Sequence, residues 1–231
     1  MQSEKPIKDH VIHGSFDDLL SSLKDMQRKF EEVYEWVELS VERNNKTLPV
    51  FNLFSSVIQY LKVLSLSVGQ HVSVLALSTR SLYELNLTLR SVIGSQEGLD
   101  LWCSELVTDK IQAIEGLLEI KTVSHMTEQR KILQAEIDRI KKIRQRHKLP
   151  EVKTPASAGQ LANLLGLSDE HRSLYKLFSK IVHPSSYLVN DYGSAASVEV
   201  QMILQIHAQL YAWDSFSRFC DRFNVPEAIR S

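Results

Sequence analysis

From Phe16 the apolar positions run Phe16, Leu19, Leu23, Met26, Phe30, Val33 and Val37. That alternation of three and four marks one continuous face of a long helix. Ser15 stands where an N-cap belongs, and Asp17 and Asp18 fall in the first turn, where the helix dipole favours negative charge. The seam has two uses: packing within the chain's own bundle, or a coiled-coil contact with a protein partner. The pattern stops near residues 43–46 (RNNK), and Pro49 suits the first turn of a second helix running towards Ser67. Gly69 breaks or kinks the run. A third helix follows to Gly94, apolar on nearly every side and therefore expected at the centre. After a loop, GSQEG, a fourth helix carries the stripe Cys103, Val107, Ile111, Ile114 and Leu118.

The next segment, EQRKILQAEIDRIKKIRQRHKL, has a thin apolar stripe of Leu133, Ile137 and Ile140. Asp138 and Lys142 sit four apart in the favourable acid-first order. From Arg130 to Lys148, eight Lys or Arg residues stand against Glu136 and Asp138. This helix is expected to project from the core as a basic hairpin with the fourth. Arg139, Lys142, Arg144 and Arg146 are its candidate phosphate-binding cations, a solvated face being the plainer use of such a run. Pro150 ends it, and VKTPASAG reads as a linker. A short helix (GQLANLLGL) stops at Gly166, Ser168 and Asp169 can cap another that ends at Pro184, and residues 184–196 read as irregular. The last helix covers about 197–223, with Ile206, Trp213, Phe216, Cys220 and Phe223 along one face. No strand pattern and no internal repeat is present. The expected architecture is all-α: a flexible tail at 1–14, one helical bundle over 15–224, and a C-terminal tail at 225–231.

Composition supports that class, since only 8 Gly and 6 Pro in 231 residues are too few for a turn-rich β fold. A formal net charge of −1 gives no global attraction to nucleic acid or an anionic membrane. Cys103 and Cys220 lie far apart with no CxxC partner, which suits free thiols in a reducing, cytoplasmic compartment. The N-terminus lacks the apolar stretch of a signal peptide. The most membrane-like run, Val63 to Thr79, is short and polar-studded, so buried core is expected and no membrane partner.

The chemistry is sparse. Gly-rich phosphate loops, HExxH and GxSxG are missing, and no cofactor is implied. His10 and His13 make a weak chelating pair in the tail, and no metal site is assigned; His207 suits a core histidine. Two polar clusters remain. Arg80 and Glu84 share one face of the most apolar helix, where a charge must be paired. In YKLFSKIVHPSSY, Tyr175, Ser179 and His183 share a face, and Lys176, Lys180 and His183 an adjoining one. A histidine at a helix end with basic neighbours suits general acid–base work on a phosphodiester, or a structural C-cap.

The pairing of an R-x-x-x-E helix (RSLYE) with Tyr-x-x-x-Ser-x-x-x-His-Pro-Ser resembles an uncharacterised family of bacterial helical proteins. That family is similar in turn to the HEPN superfamily, small helical bundles of toxin–antitoxin and antiviral defence systems. The resemblance spans roughly residues 48–190. It implies an RNA partner, a homodimer, and a metal-independent endoribonuclease whose arginine and histidine share one helix. His183 matches the histidine; Lys176 occupies the arginine position, with Leu177 after it. Lysine supplies charge without the planar fork that grips phosphate, so the motif is degenerate. On this view His183 is the acid–base, Lys176 and Lys180 hold phosphate, and Tyr175 or Ser179 orients the imidazole. The competing expectation is a non-catalytic interaction module, locked by a buried network of Arg80, Glu84, Tyr175 and His183.

Overall fold

The computed structural model describes residues 11–12, 15–120 and 126–230; the His10–His13 pair lies outside them. The described helices are α1 Phe16–Ser40, α2 Leu48–Ser67, α3 Val72–Gly94, α4 Gln96–Glu119, α5 Thr127–Arg146, α6 Ala158–Leu164, α7 Ser168–Ile181, α8 Ser186–Asn190, α9 Tyr192–Ala195, α10 Val198–Arg222 and α11 Glu227–Arg230. The fold is an all-α bundle, with no strand among the described residues. Where the sequence suggested one domain over 15–224, the chain packs as two compact units. One comprises the described residues of Met1–Ile93 and Ala158–Ser231, the other those of Gly94–Ser157.

In the first unit Ser15 opens α1 with a capping box: its hydroxyl accepts from the Asp18 N–H, and the Asp18 carboxylate accepts from the Ser15 N–H. Leu19, Leu23, Met26, Phe30, Val33 and Val37 are all buried. Phe30 stacks on Phe54 of α2 and Phe216 of α10, with centroids 5.5 and 4.5 Å apart. The heptad seam is thus covered within the chain, and a protein partner would find it already occupied.

Pro49 lies in the first turn of α2, as its fixed φ suits. By length and composition α2 could cross a bilayer, yet half of it is buried in the bundle, with Val50, Phe51, Leu53, Phe54, Val57, Ile58, Leu61 and Leu64 inside. The Val63–Thr79 run belongs to two helices, parted at Gly69, whose φ of +74° is open to glycine at little cost. Central α3 buries Leu75, Leu82, Tyr83, Leu87 and Leu89, but Val74 and Leu77 are exposed.

Two expectations need correction. Residues 184–196 are ordered as α8 and α9, because Ser185 caps α8 by accepting from the Leu188 N–H (3.1 Å). Of residues 225–231, expected as a tail, the described ones bury Val225 and include α11 at Glu227–Arg230, with Arg230 paired to Asp221 at 2.7 Å. Cys220 is buried, which raises its thiol pKa to about 12.

The second unit is the hairpin of α4 packed on α5. Ser95 caps α4 at once, so the expected GSQEG loop shrinks to a single residue between helices. Val107, Ile137 and Ile140 are buried, while Ile111, Ile114 and Leu118 are only half-buried. Three side chains on one face of α4 hold the segment after α5. Thr108 donates to Val152 O, Gln112 donates to Lys153 O, and Glu105 accepts from Ala156 N–H at 2.8 Å.

Candidate functional site

Helix α7 turns Leu174, Phe178 and Ile181 inward and leaves its other side for chemistry. Along that outer side Arg172, Lys176, Lys180 and, just past the helix, His183 are all exposed. Their spacing of four, four and three makes one stripe of basic side chains. Beside it lies a groove of about 370 Å³, lined by Gly159 of α6 and by Ser168, His171, Arg172, Tyr175, Lys176 and Ser179 of α7.

The groove is backed by a stack of polar and aromatic side chains. Arg80 donates from Nε to Glu84 Oε1 (2.8 Å) and from Nη2 to the Tyr175 hydroxyl (2.6 Å). Its guanidinium also sits 4.8 Å from the centre of the Tyr175 ring. Tyr175 in turn packs against His171, with centroids 4.7 Å apart, and His171 against Tyr83 at 5.9 Å. The Tyr83 hydroxyl meets His171 Nδ1 at 3.0 Å. Tyr211 of α10 packs on Tyr83 and donates to Glu170 Oε1 at 2.6 Å. Burial, followed by the nearby Glu170 and Glu84 charges, pushes the Tyr83 phenol up to about 12, so it stays protonated. Where the Tyr83 hydroxyl donates to Nδ1 of a neutral ring, the ring hydrogen lies on Nε2. Burial disfavours the Arg80 charge, but Glu84 and Tyr175 outweigh it and hold its pKa above the usual value.

The candidate residues divide cleanly. Arg80, Glu84 and Tyr175 come together, although with side-chain exposures of 23% and 39% the Arg80–Glu84 pair is only partly buried. Ser179 lines the groove but donates back to Lys176 O at 3.0 Å. His183 lies outside this network, exposed in the turn after α7, and its imidazole has no hydrogen-bond partner among the described residues. Neither Tyr175 nor Ser179 orients it. The His-Pro-Ser segment is instead a corner: Ser185 N–H donates to His183 O, and Ser185 Oγ donates to Lys180 O while capping α8. His207 is half-exposed, with Nδ1 2.7 Å from Ile203 O.

On α5, Arg139 is held by Glu136 through two bonds of 2.6 and 2.7 Å, and Arg144 lies 3.8 Å from Glu151. Lys142 and Arg146 are exposed. Among the described residues no group of three His, Cys, Asp or Glu could hold a metal ion.

Sequence reasoning missed His171, Tyr83, Glu170, Tyr211 and Gly159. His171 and Tyr175 are four apart on α7, a signal present in the sequence; their partners on α3, α6 and α10 come from distant segments. A second missed cluster surrounds Asp214, whose Oδ2 accepts from Asn86 (2.7 Å), Arg90 (3.0 Å) and Arg218 (2.7 Å).

A family model described as a family of unknown function, DUF5677, matches residues 47–198, which is more than half of the chain. The match takes in α2 to α9, and with them the groove, and leaves out the heptad helix α1. No curated protein and no solved structure matches.

Proposed function

The chain belongs to the DUF5677 family, whose function is unknown, and for it we propose a HEPN-like module that binds RNA in the cytoplasm, in a bacterial stress or defence setting. The observation that carries this reading is the exposed stripe of Arg172, Lys176, Lys180 and His183 beside an open groove. Four groups at helical spacing along about 16 Å, at roughly 1.5 Å per residue, can follow a single-stranded backbone and exchange its counterions for protein charge. The chain's near-neutral total charge makes this a local rather than a global attraction.

Binding rather than cleavage is the primary activity on this reading. A ribonuclease built on His183 would need a group to orient the imidazole, and Tyr175 and Ser179 are engaged elsewhere. A second reading, a non-catalytic interaction module, is supported by the closure of the Arg80–Glu84–Tyr175 and Tyr83–His171 contacts, which lock α3 to α7.

The test is fluorescence anisotropy with labelled single-stranded RNA at two salt concentrations, and a parallel cleavage assay without metal using wild type and His183→Ala. Salt-sensitive binding without cleavage is the expected result. Cleavage abolished by His183→Ala would establish the nuclease; no binding on several RNAs would leave the interaction module.

A further inference from the structure

We infer that the groove between α6 and α7 is an oxyanion subsite, in which His171 Nε2 joins Arg172 and Lys176 around one phosphate group. This rests on the RNA-binding reading for its biological ligand, but its geometry is independent of the stripe that runs on to Lys180 and His183.

The imidazole is held by two tyrosines. Tyr83 packs on it at 5.9 Å between centroids, Tyr175 at 4.7 Å, and Nδ1 faces the Tyr83 hydroxyl at 3.0 Å. Tyr83 is itself fully buried, and Tyr175 is fixed from beyond by Arg80. These contacts engage the ring faces and Nδ1 and leave Nε2 as the ring's other polar atom. Nε2 has no hydrogen-bond partner among the described residues and lies beside Gly159 in the groove wall. A Cβ placed at Gly159 would stand 3.1 Å from Nε2, tighter than ordinary contact. Glycine is therefore what keeps that edge open, in the middle of a lining otherwise free to carry side chains.

Around the edge, Arg172 and Lys176 line the same groove, one helical turn apart. Arg172 is only weakly engaged, 3.8 Å from an Asp169 that is almost wholly exposed. Glu170, an exposed carboxylate on the same helix, accepts from Tyr211. An imidazole N–H, a guanidinium and an ammonium converging on one groove suit a tetrahedral dianion or a diester oxygen. The aromatic faces are already stacked on one another, so the groove recognises the phosphate and not a base.

The source of that phosphate, an internal diester or a terminal monoester, is decided by experiment. The histidine ring signals of the ¹⁵N-labelled full chain would be followed while titrating inorganic phosphate, a 5′-phosphorylated RNA and the same RNA with a 5′-hydroxyl. The expected result is a shift of His171 Nε2 with phosphate and with RNA, reduced at least tenfold in affinity by Gly159→Ala, with circular dichroism unchanged. A shift with both RNAs marks an internal diester, and one confined to the 5′-phosphorylated RNA a terminal phosphate. Gly159→Leu is the second variant: it blocks the groove outright if Ala is accommodated by a small movement of the ring. Unmoved His171 signals with all three ligands would overturn the subsite. RNA binding that persists in both Gly159 variants would also overturn it while leaving the stripe intact. Loss of RNA binding altogether, with phosphate still shifting His171, would instead fell the RNA reading and keep the subsite.

Discussion

Helices α5 and α7 both present cations to solvent, and they differ in what surrounds those cations. On α5 the charges are dense, but Arg139 is doubly bonded to Glu136 and Lys131 pairs with Glu128. Arg144 and Arg146 also sit in the last turn, where the helix dipole alone favours them. Both helices border a groove. On α5 one of about 430 Å³ is lined by Arg130 and Lys131, which are engaged by Leu118 O and Glu128. On α7, by contrast, Arg172 and Lys176 flank one of about 370 Å³ with an imidazole on its wall. Charge density along a sequence marks a soluble helix; a concave setting that leaves charge unneutralised marks a site.

Four variants put that contrast to the test. The largest effect is expected where charge is most fully paired. Burial alone would push the Asp214 carboxyl up, but hydrogen bonds from Arg218 and Asn86 and the charge of Arg90 hold its pKa below the usual 3.8. A depressed carboxylate contributes stability above its unfolded pKa and loses it as pH falls through the folded value. Asp214→Asn should therefore cost about 2 kcal/mol near neutrality, less than a fully buried pair because Arg218 is substantially exposed. It should also remove the part of the acid destabilisation that this carboxylate contributes as pH falls below 3.8. Urea melts at neutral and acid pH check both. An unchanged midpoint at neutral pH would mean that pairing at Asp214 does not hold the bundle.

Next comes the double variant Arg172→Ala, Lys176→Ala, which should weaken RNA binding at least tenfold, about 1.4 kcal/mol, with its melting temperature preserved. Its log affinity should also depend less steeply on log salt, by roughly one unit of slope for each phosphate no longer neutralised. Glu84→Gln leaves Arg80 with Tyr175 but without its carboxylate, and should cost about 1 kcal/mol in chemical denaturation. The value for a buried pair would be larger, but both side chains are partly solvated. The smallest effect is expected from Lys142→Ala, Arg146→Ala on α5, within about threefold in RNA affinity, or about 0.6 kcal/mol. Equal losses from the α5 and α7 pairs would erase the contrast altogether.

The long helices and the α1 core stripe were legible in the amino-acid order alone, whereas the short helices α8, α9 and α11 were not. Ser15 with Asp18, Pro49, Gly69 and the three–four spacing from Leu19 to Val37 act within a turn or two of chain, so their physics is local. The Arg80–Glu84 pair was readable for the same reason, and its neighbour Tyr175 was on the right face. Which of several plausible polar residues meet was settled only by packing. His183 carried every local sign of a functional histidine, yet Ser185 uses that corner to end one helix and start another. His171 carried almost none, because its partners Tyr83 and, through Tyr175, Arg80 lie far from it in sequence. The groove's lining comes from two consecutive helices, but the side chains that back it, Arg80, Tyr83 and Tyr211, arrive from distant segments, and burial and pairing are properties of that approach.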